Sequence, residues 1–265
     1  MRLRVTLQVE QPITIPLNYQ YQLASAVYGF LEESDADYAS FLHSEGYAPP
    51  EAEPEGLRRR FKLFVFSQLR ATRSRVQGDR LHLRPGSVEW QIASPVEPFL
   101  TNFASGLLTM GALRIERACL PVAVAETLAQ PEFTSPLRCK CLSPIVVAVH
   151  DSNHRTPRYL RPDDPEFSKR VRQNLLAKYK VLHGHSPEDD NLTLTFDADY
   201  LRTHRGTKLV SYKGIQIVGA FCPFTLLGST ELMRMAYECG LGEKNSNGFG
   251  MMEVVNNGDR KGNVS

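Results

Sequence analysis

Gly240-Leu241-Gly242-Glu243-Lys244-Asn245-Ser246-Asn247-Gly248-Phe249-Gly250 decides how the second half of the chain is read. Ser229 to Cys239 precedes it with the spacing of a helix, and Phe249 to Val255 follows as a strand. A dinucleotide loop has the opposite order: it follows a strand and opens a helix, whose N-terminus holds the phosphate. A P-loop ends in Gly-Lys-Ser/Thr, where this segment has Glu243-Lys244-Asn245. Two readings remain. The loop cradles a phosphodiester backbone with exposed N–H groups, one Lys and two Asn. Alternatively it is a tight helix-to-strand turn in which Gly242, Gly248 and Gly250 relieve steric limits.

Working outward, the second half reads as strand (Leu137–His150), helix (Asp164–Leu182), strand (Leu192–Ala198), long strand or hairpin (Lys208–Phe221), helix, Gly-rich loop and strand. The first half opens on Arg2–Val9, which alternates with period two as a strand does. Tyr21–Leu31 has helical spacing, and Ser34-Asp35 can cap a second short helix ending near Gly46. A strand at Phe61–Phe66 follows, then a hairpin over Arg73–Arg84 turning at Gly78-Asp79, and a strand at Ser87–Ala93. A helix over Pro95–Met110 and a strand over Leu113–Val124 complete it. Both halves therefore read β-α-β-β-α-β, the ferredoxin-like order. The fold class predicted is α+β, with two tandem ferredoxin-like (RRM-like) domains. Their bounds are 1–125 and 137–265, joined by a linker at 126–136 that holds Pro131 and Pro136. A length of 265 residues suits two domains, because single cores stop growing near roughly 250–300 residues.

The formal charge of +2 conceals strong segregation. Residues 57–84, 155–180 and 200–213 carry net charges of +8, +5 and +4, while 1–56 and 181–199 carry −7 and −5. Three basic blocks in an otherwise acidic chain suggest a polyanion-binding surface if folding gathers them, and three solvated faces if it does not. No apolar run approaches the roughly 18–20 residues of a membrane helix, and the N-terminus does not read as a signal peptide. A cytoplasmic protein with reduced thiols is expected from its five cysteines. Cys139 and Cys141 share a strand face, but no further ligands mark a metal site, and no cofactor is expected.

The loop and the N-terminus together resemble the CRISPR-associated endoribonucleases that cut repeat RNA into guides, the Cas family numbered six. That family ends in G-x-G-x-K-N-S-x-G-F-G and a short strand, here GLGEKNSNGFGMMEV. Its Asn-x-x-Tyr-x-Leu helix is similar to Asn18–Leu23 and leads to Tyr28. Leu42-His43-Ser44-Glu45-Gly46, Lys62-Leu63-Phe64-Val65-Phe66-Ser67 and Ser143-Pro144-Ile145-Val146-Val147 match further landmarks in order. The acidic loop between His43 and Lys62 is longer than the family pattern, which bears on the registration of Lys62.

The resemblance implies a metal-independent cut of CRISPR repeat RNA (pre-crRNA). The ribose 2′-hydroxyl attacks the adjacent phosphorus and leaves a 2′,3′-cyclic phosphate and a 5′-hydroxyl end. Such a step needs a base, a proton donor and a cation for the phosphorane charge. His43 is the candidate acid–base group, since an unperturbed imidazole titrates near pH 6.5; a helix C-terminal His meeting the dipole is the plainer reading. Tyr28 matches the family's catalytic Tyr and would orient or deprotonate the 2′-hydroxyl; a core Tyr is the alternative. Lys62 would neutralise phosphate charge or simply contact RNA. Candidate RNA-binding residues are Arg58, Arg59, Arg60, Arg73, Arg75, Lys169, Arg170 and Arg172, with Gly242, Lys244, Asn245, Ser246 and Gly248 of the loop. Trp90, the single Trp, reads as core. Partners left open beside the RNA are other subunits of a Cas effector complex and a second copy of the chain; no membrane is expected. Two other functions compete: a non-catalytic repeat-RNA-binding subunit, and a small-molecule phosphate or nucleotide enzyme, which the loop order disfavours.

Overall fold

The computed structural model describes residues 1–48, 60–149 and 156–255. The first half runs β1 (Arg2–Val9), β2 (Ile13–Pro16), α1 (Gln20–Ser34), α2 (Ala36–Ser44), β3 (Val65–Phe66), β4 (Arg70–Ala71), β5 (Ser74–Gln77), β6 (Arg80–Leu83), β7 (Gly86–Ala93), α3 (Glu97–Met110), β8 (Ala112–Ile115) and β9 (Ala118–Thr127). The second runs β10 (Leu137–Cys141), β11 (Ala148–Val149), β12 (Arg158–Tyr159), α4 (Phe167–His183), β13 (Leu192–Phe196), α5 (Ala198–Thr203), β14 (Thr207–Tyr212), β15 (Ile215–Ala220), β16 (Phe224–Gly228), α6 (Thr230–Cys239) and β17 (Met252–Val254).

The alternation of β1 puts Val5, Leu7 and Val9 into one core with Trp90, α1 and α3. Strand order in this sheet is β3-β7-β1-β9-β8, all antiparallel. The second sheet has the order β13-β16-β10-β17, and its core gathers α4 and α6. In each sheet the first strand lies between the third and the last of the β-α-β-β-α-β set. Both are ferredoxin-like sheets, as the order of elements predicts.

Several boundaries differ from the sequence reading, each for a local reason. Leu113–Val124 is a hairpin, β8 and β9, turning at Glu116 with φ +53. β9 runs to Thr127 because Leu3 pairs with it, so the strand extends into the expected linker. The expected strand Leu137–His150 divides at Ser143-Pro144 into β10 and β11, and His150 lies outside the described residues. Lys208–Phe221, expected as a long strand or a hairpin, is the hairpin β14–β15, and the difference is only that it stands apart from the main sheet. The third strand of the second sheet is β16, which the sequence reading missed; its five residues merge into the capped start of α6, where Ser229 accepts from Leu232 N.

The strand expected at Phe61–Phe66 shrinks to Val65–Phe66. Leu63 takes a left-handed φ of +52, and the Ser94 hydroxyl donates to its carbonyl at 2.8 Å. That kink sends the Leu63 side chain into the second core and Phe64 into the first. Arg2 also joins the halves. It is 2% exposed, donates to the carbonyls of Tyr237 (2.7 Å) and Met252 (2.9 Å), and lies 3.5 Å over the Tyr237 ring. Burial lowers its guanidinium to about 10.

Helices α1 and α3 approach so closely that a Cβ on Gly106 would stand 1.8 Å from the Phe30 carbonyl oxygen. Gly106→Ala is therefore expected to destabilise the protein by about 1–3 kcal/mol through overpacking, measured by urea unfolding. An unchanged midpoint would show that the helices separate freely.

Candidate active site

His43 sits in the last turn of α2, which Asp35 caps at the other end by accepting from Tyr38 N at 2.9 Å. The chain then turns at Gly46, φ +66, and Tyr47 pairs with Phe61 through two main-chain hydrogen bonds of 2.8 Å. A Cβ on Gly46 would meet the Phe61 carbonyl oxygen at 2.9 Å, so glycine permits this approach. The bridge closes the long acidic loop and delivers Lys62 to the end of α2. There the Lys62 ammonium donates to the carbonyls of Leu42 and His43, two of the orphan acceptors a helix leaves at its C-terminus.

Tyr28 reaches the same place from α1. Its ring stands edge-on to that of His43, with centroids 5.3 Å apart, and to that of Phe64 at 6.2 Å. The Lys62 ammonium is 5.7 Å from the Tyr28 ring centroid. The three candidates thus form one cluster despite the length of the intervening loop. His43 is exposed, while Tyr28 and Lys62 are half-buried. Burial pushes the Tyr28 hydroxyl well above the usual phenol range and lowers the Lys62 ammonium.

The Gly-rich loop closes beside this cluster. Lys178 of α4, 2% exposed, donates to the carbonyls of Gly240 (2.7 Å) and Gly242 (3.2 Å) and to Asn245 Oδ1 (2.7 Å). The Asn245 amide in turn donates to the carbonyls of Leu241 (3.1 Å) and Phe249 (2.9 Å). Lysine and asparagine together tie the entry of the loop to its exit. Gly242 and Gly248 are buried: a Cβ on the first would lie 2.2 Å from the Val146 carbonyl oxygen, and on the second 2.5 Å from the Phe66 ring of β3. These three loop residues therefore hold the turn. Lys244 is exposed with a left-handed φ of +59, and Ser246 is half-buried. Between the loop and the cluster lies a cavity of about 140 Å³, lined by Arg60, Lys62, Asn174, Lys178, Lys244 and Ser246 among others.

The other basic candidates disperse. Arg58 and Arg59 lie outside the described residues, and Arg60 is exposed at the cavity. Arg75 stands on a separate β2-β6-β5 sheet, beyond the Gly86 end of β7, and Arg73 immediately precedes β5. That end of β7 is about 25 Å of strand from Ala93, which pairs with Val65 near Lys62, so these two candidate RNA-binding residues lie away from the cluster. Arg170 pairs with Glu166 and Arg172 with Asp190, while Lys169 is exposed about 14 Å along α4 from Lys178.

Lys178 was missed by the sequence reading, although a signal existed. It falls on the stripe of Phe167, Val171, Leu175 and Tyr179 that α4 buries, where a charge needs a partner.

Models of the CRISPR-associated protein Cas6 match both halves, the N-terminal one at residues 14–125 and the C-terminal one at 128–254. The chain belongs to the Cas6 family. The CRISPR-associated endoribonuclease Cas6 1 of Methanocaldococcus jannaschii is 29% identical over 98% of this chain and 95% of its own. A solved structure of CRISPR-associated protein Cas6 is 28% identical with a TM-score of 0.76, covering 97% of this chain and 99% of that one. The product of a Cas6-related gene from Pyrococcus furiosus has the same fold, with a TM-score of 0.81 at 22% identity over 97% and 99% of the two chains. As in its Cas6 relatives, the chain is an endoribonuclease by family. No helix among the described residues is long and apolar enough to cross a membrane.

Lys178→Met is expected to destabilise the fold by about 3 kcal/mol, because several buried oxygens lose their donor. Amide hydrogen exchange across Gly240–Gly250 should accelerate with it. Native exchange in that segment would show that the loop holds itself.

Proposed function

We propose that this Cas6 chain cleaves CRISPR repeat RNA without a metal ion, by attack of a ribose 2′-hydroxyl on the adjacent phosphorus. The new bond joins the 2′-oxygen to phosphorus, the bond to the 5′-oxygen breaks, and the ends are a 2′,3′-cyclic phosphate and a 5′-hydroxyl. The observation that carries this reading is the convergence of Tyr28, His43 and Lys62 from three separate segments.

Each group has a role its surroundings support. His43, exposed at the rim, exchanges a proton with the reacting oxygens. Tyr28 acts as a hydrogen-bond donor that orients the 2′-hydroxyl or a phosphate oxygen. Burial raises its hydroxyl above the usual phenol range, which supports the donor role over that of a base. Lys62 fixes the main chain at His43 and keeps a positive charge beside the phosphorane. Arg60 and Lys244, at the cavity, add attraction for the strand, and the Cas6 relatives' names agree with this substrate class.

His43→Ala is expected to slow cleavage of labelled repeat RNA by about 10²–10⁴-fold while binding changes little. Tyr28→Phe is expected to cost about 10²-fold. Cleavage should persist in excess EDTA, and the 5′ fragment should resist phosphatase until acid opens the cyclic phosphate. Loss of cutting on chelation would overturn the metal-free route. A gel shift with no cleavage would favour the binding-subunit reading.

A further inference from the structure

The β14–β15 hairpin stands outside both main sheets, yet its tip is tied to α1 and to the Gly-rich loop. The Asn18 side chain accepts from Ser211 N at 3.0 Å, and the Tyr212 hydroxyl donates to Asn247 Oδ1 at 3.0 Å. Tyr212 meets Tyr21 of α1 edge-on, with centroids 5.9 Å apart. The Lys213 ammonium lies 4.2 Å from the centroid of Tyr21. Below this, Val210 and Ile217 pack with Phe249 of the loop and Val146.

Three features of this corner point beyond packing. Tyr21 is 41% exposed, although a tyrosine on a structural face is better buried. Lys213 takes a left-handed φ of +50 in the two-residue turn Lys213-Gly214, where Asn or Gly would be unstrained. The strain delivers a cation to the face of an exposed aromatic ring. Finally, Tyr21 and Tyr28 are seven residues apart on α1, so they share a face and lie about 10 Å apart along it. That places the corner within reach of a nucleotide neighbouring the scissile phosphate.

We propose that Tyr21, Tyr212 and Lys213 form a binding site for an unpaired nucleotide next to the cut. The base stacks on the Tyr21 ring, and the Lys213 ammonium moves from the ring to the adjoining phosphate. Tyr212 holds the angle of the Tyr21 ring, and through Asn247 ties this site to the Gly-rich loop. The strand thus leaves the His43 cluster along α1 and is held by the hairpin. This inference rests on the proposed cleavage of RNA at that cluster.

The test uses the full chain and a single-stranded repeat RNA carrying 2-aminopurine at successive positions flanking the cut. The wild-type protein is expected to quench fluorescence most strongly at one flanking position. Tyr21→Ala should abolish that quench and raise Kd by roughly 5- to 150-fold, whereas Tyr21→Phe, which keeps the ring, should behave as wild type. Lys213→Gly should weaken binding and lower the salt slope by about 0.7, the value for one single-strand phosphate. It should also raise the unfolding temperature, because it relieves the left-handed backbone, and a merely structural lysine would not separate these effects. If the wild-type protein neither binds nor cuts the RNA, the proposed function fails. If it cuts while Tyr21→Ala keeps the quench and the affinity, this inference alone is overturned.

Discussion

A buried ammonium organises the region where the two halves meet. Lys178 is shut away from water, and a charge so placed is tolerated only where oxygens replace its hydration shell. The main-chain carbonyls of Gly240 and Gly242 and the amide oxygen of Asn245 do so. Meeting that demand folds the Gly-rich loop into one shape, and the shape sets Gly248 against the Phe66 ring of β3. β3 is the short continuation of the segment that carries Lys62. The cation of the second half therefore determines what stands opposite the His43 cluster of the first.

The same interface explains why a nearly neutral chain presents a cationic cleft. Each of the three basic blocks sends a residue to this region: Lys62 from the first, Lys178 from the second, Lys208 and Lys213 from the third. Lys208 donates to Gln68 at 2.7 Å and, like Lys62, has its ammonium lowered by burial. Other members are neutralised locally, as Arg70 is between Glu89 and Glu253, or lie far off on the β5–β6 hairpin. Net charge by block is a poor guide to which residues share a surface, because a charge acts over only about 8 Å in physiological salt and sequence neighbours fold apart.

Much of the site was legible through ordered short motifs. Tyr28, His43 and Lys62 are named by local patterns, and the structure brings them together through contacts those patterns omit: the Tyr47–Phe61 bridge and the two carbonyls that hold Lys62. The loop motif was legible as a motif but ambiguous in role. Its Asn245 and buried glycines serve the turn, while Lys244 alone among its charged residues is exposed. Tyr21, Tyr212 and Lys213 could not be grouped from sequence, since nothing local relates a helix face to a hairpin tip almost two hundred residues later.

Periodicity and caps by themselves determined the ferredoxin-like order of both halves, because helix and strand spacing are written in neighbouring residues. They failed at β16, where a five-residue strand runs straight into a helix, and at Leu63, where a left-handed kink breaks the strand. Tertiary structure alone decided that the Gly-rich loop is a braced turn as well as a cleft wall, since the lysine that braces it comes from another helix. It also set the upward shift of the Tyr28 hydroxyl, because burial is a property of the packed molecule and no single segment contains it.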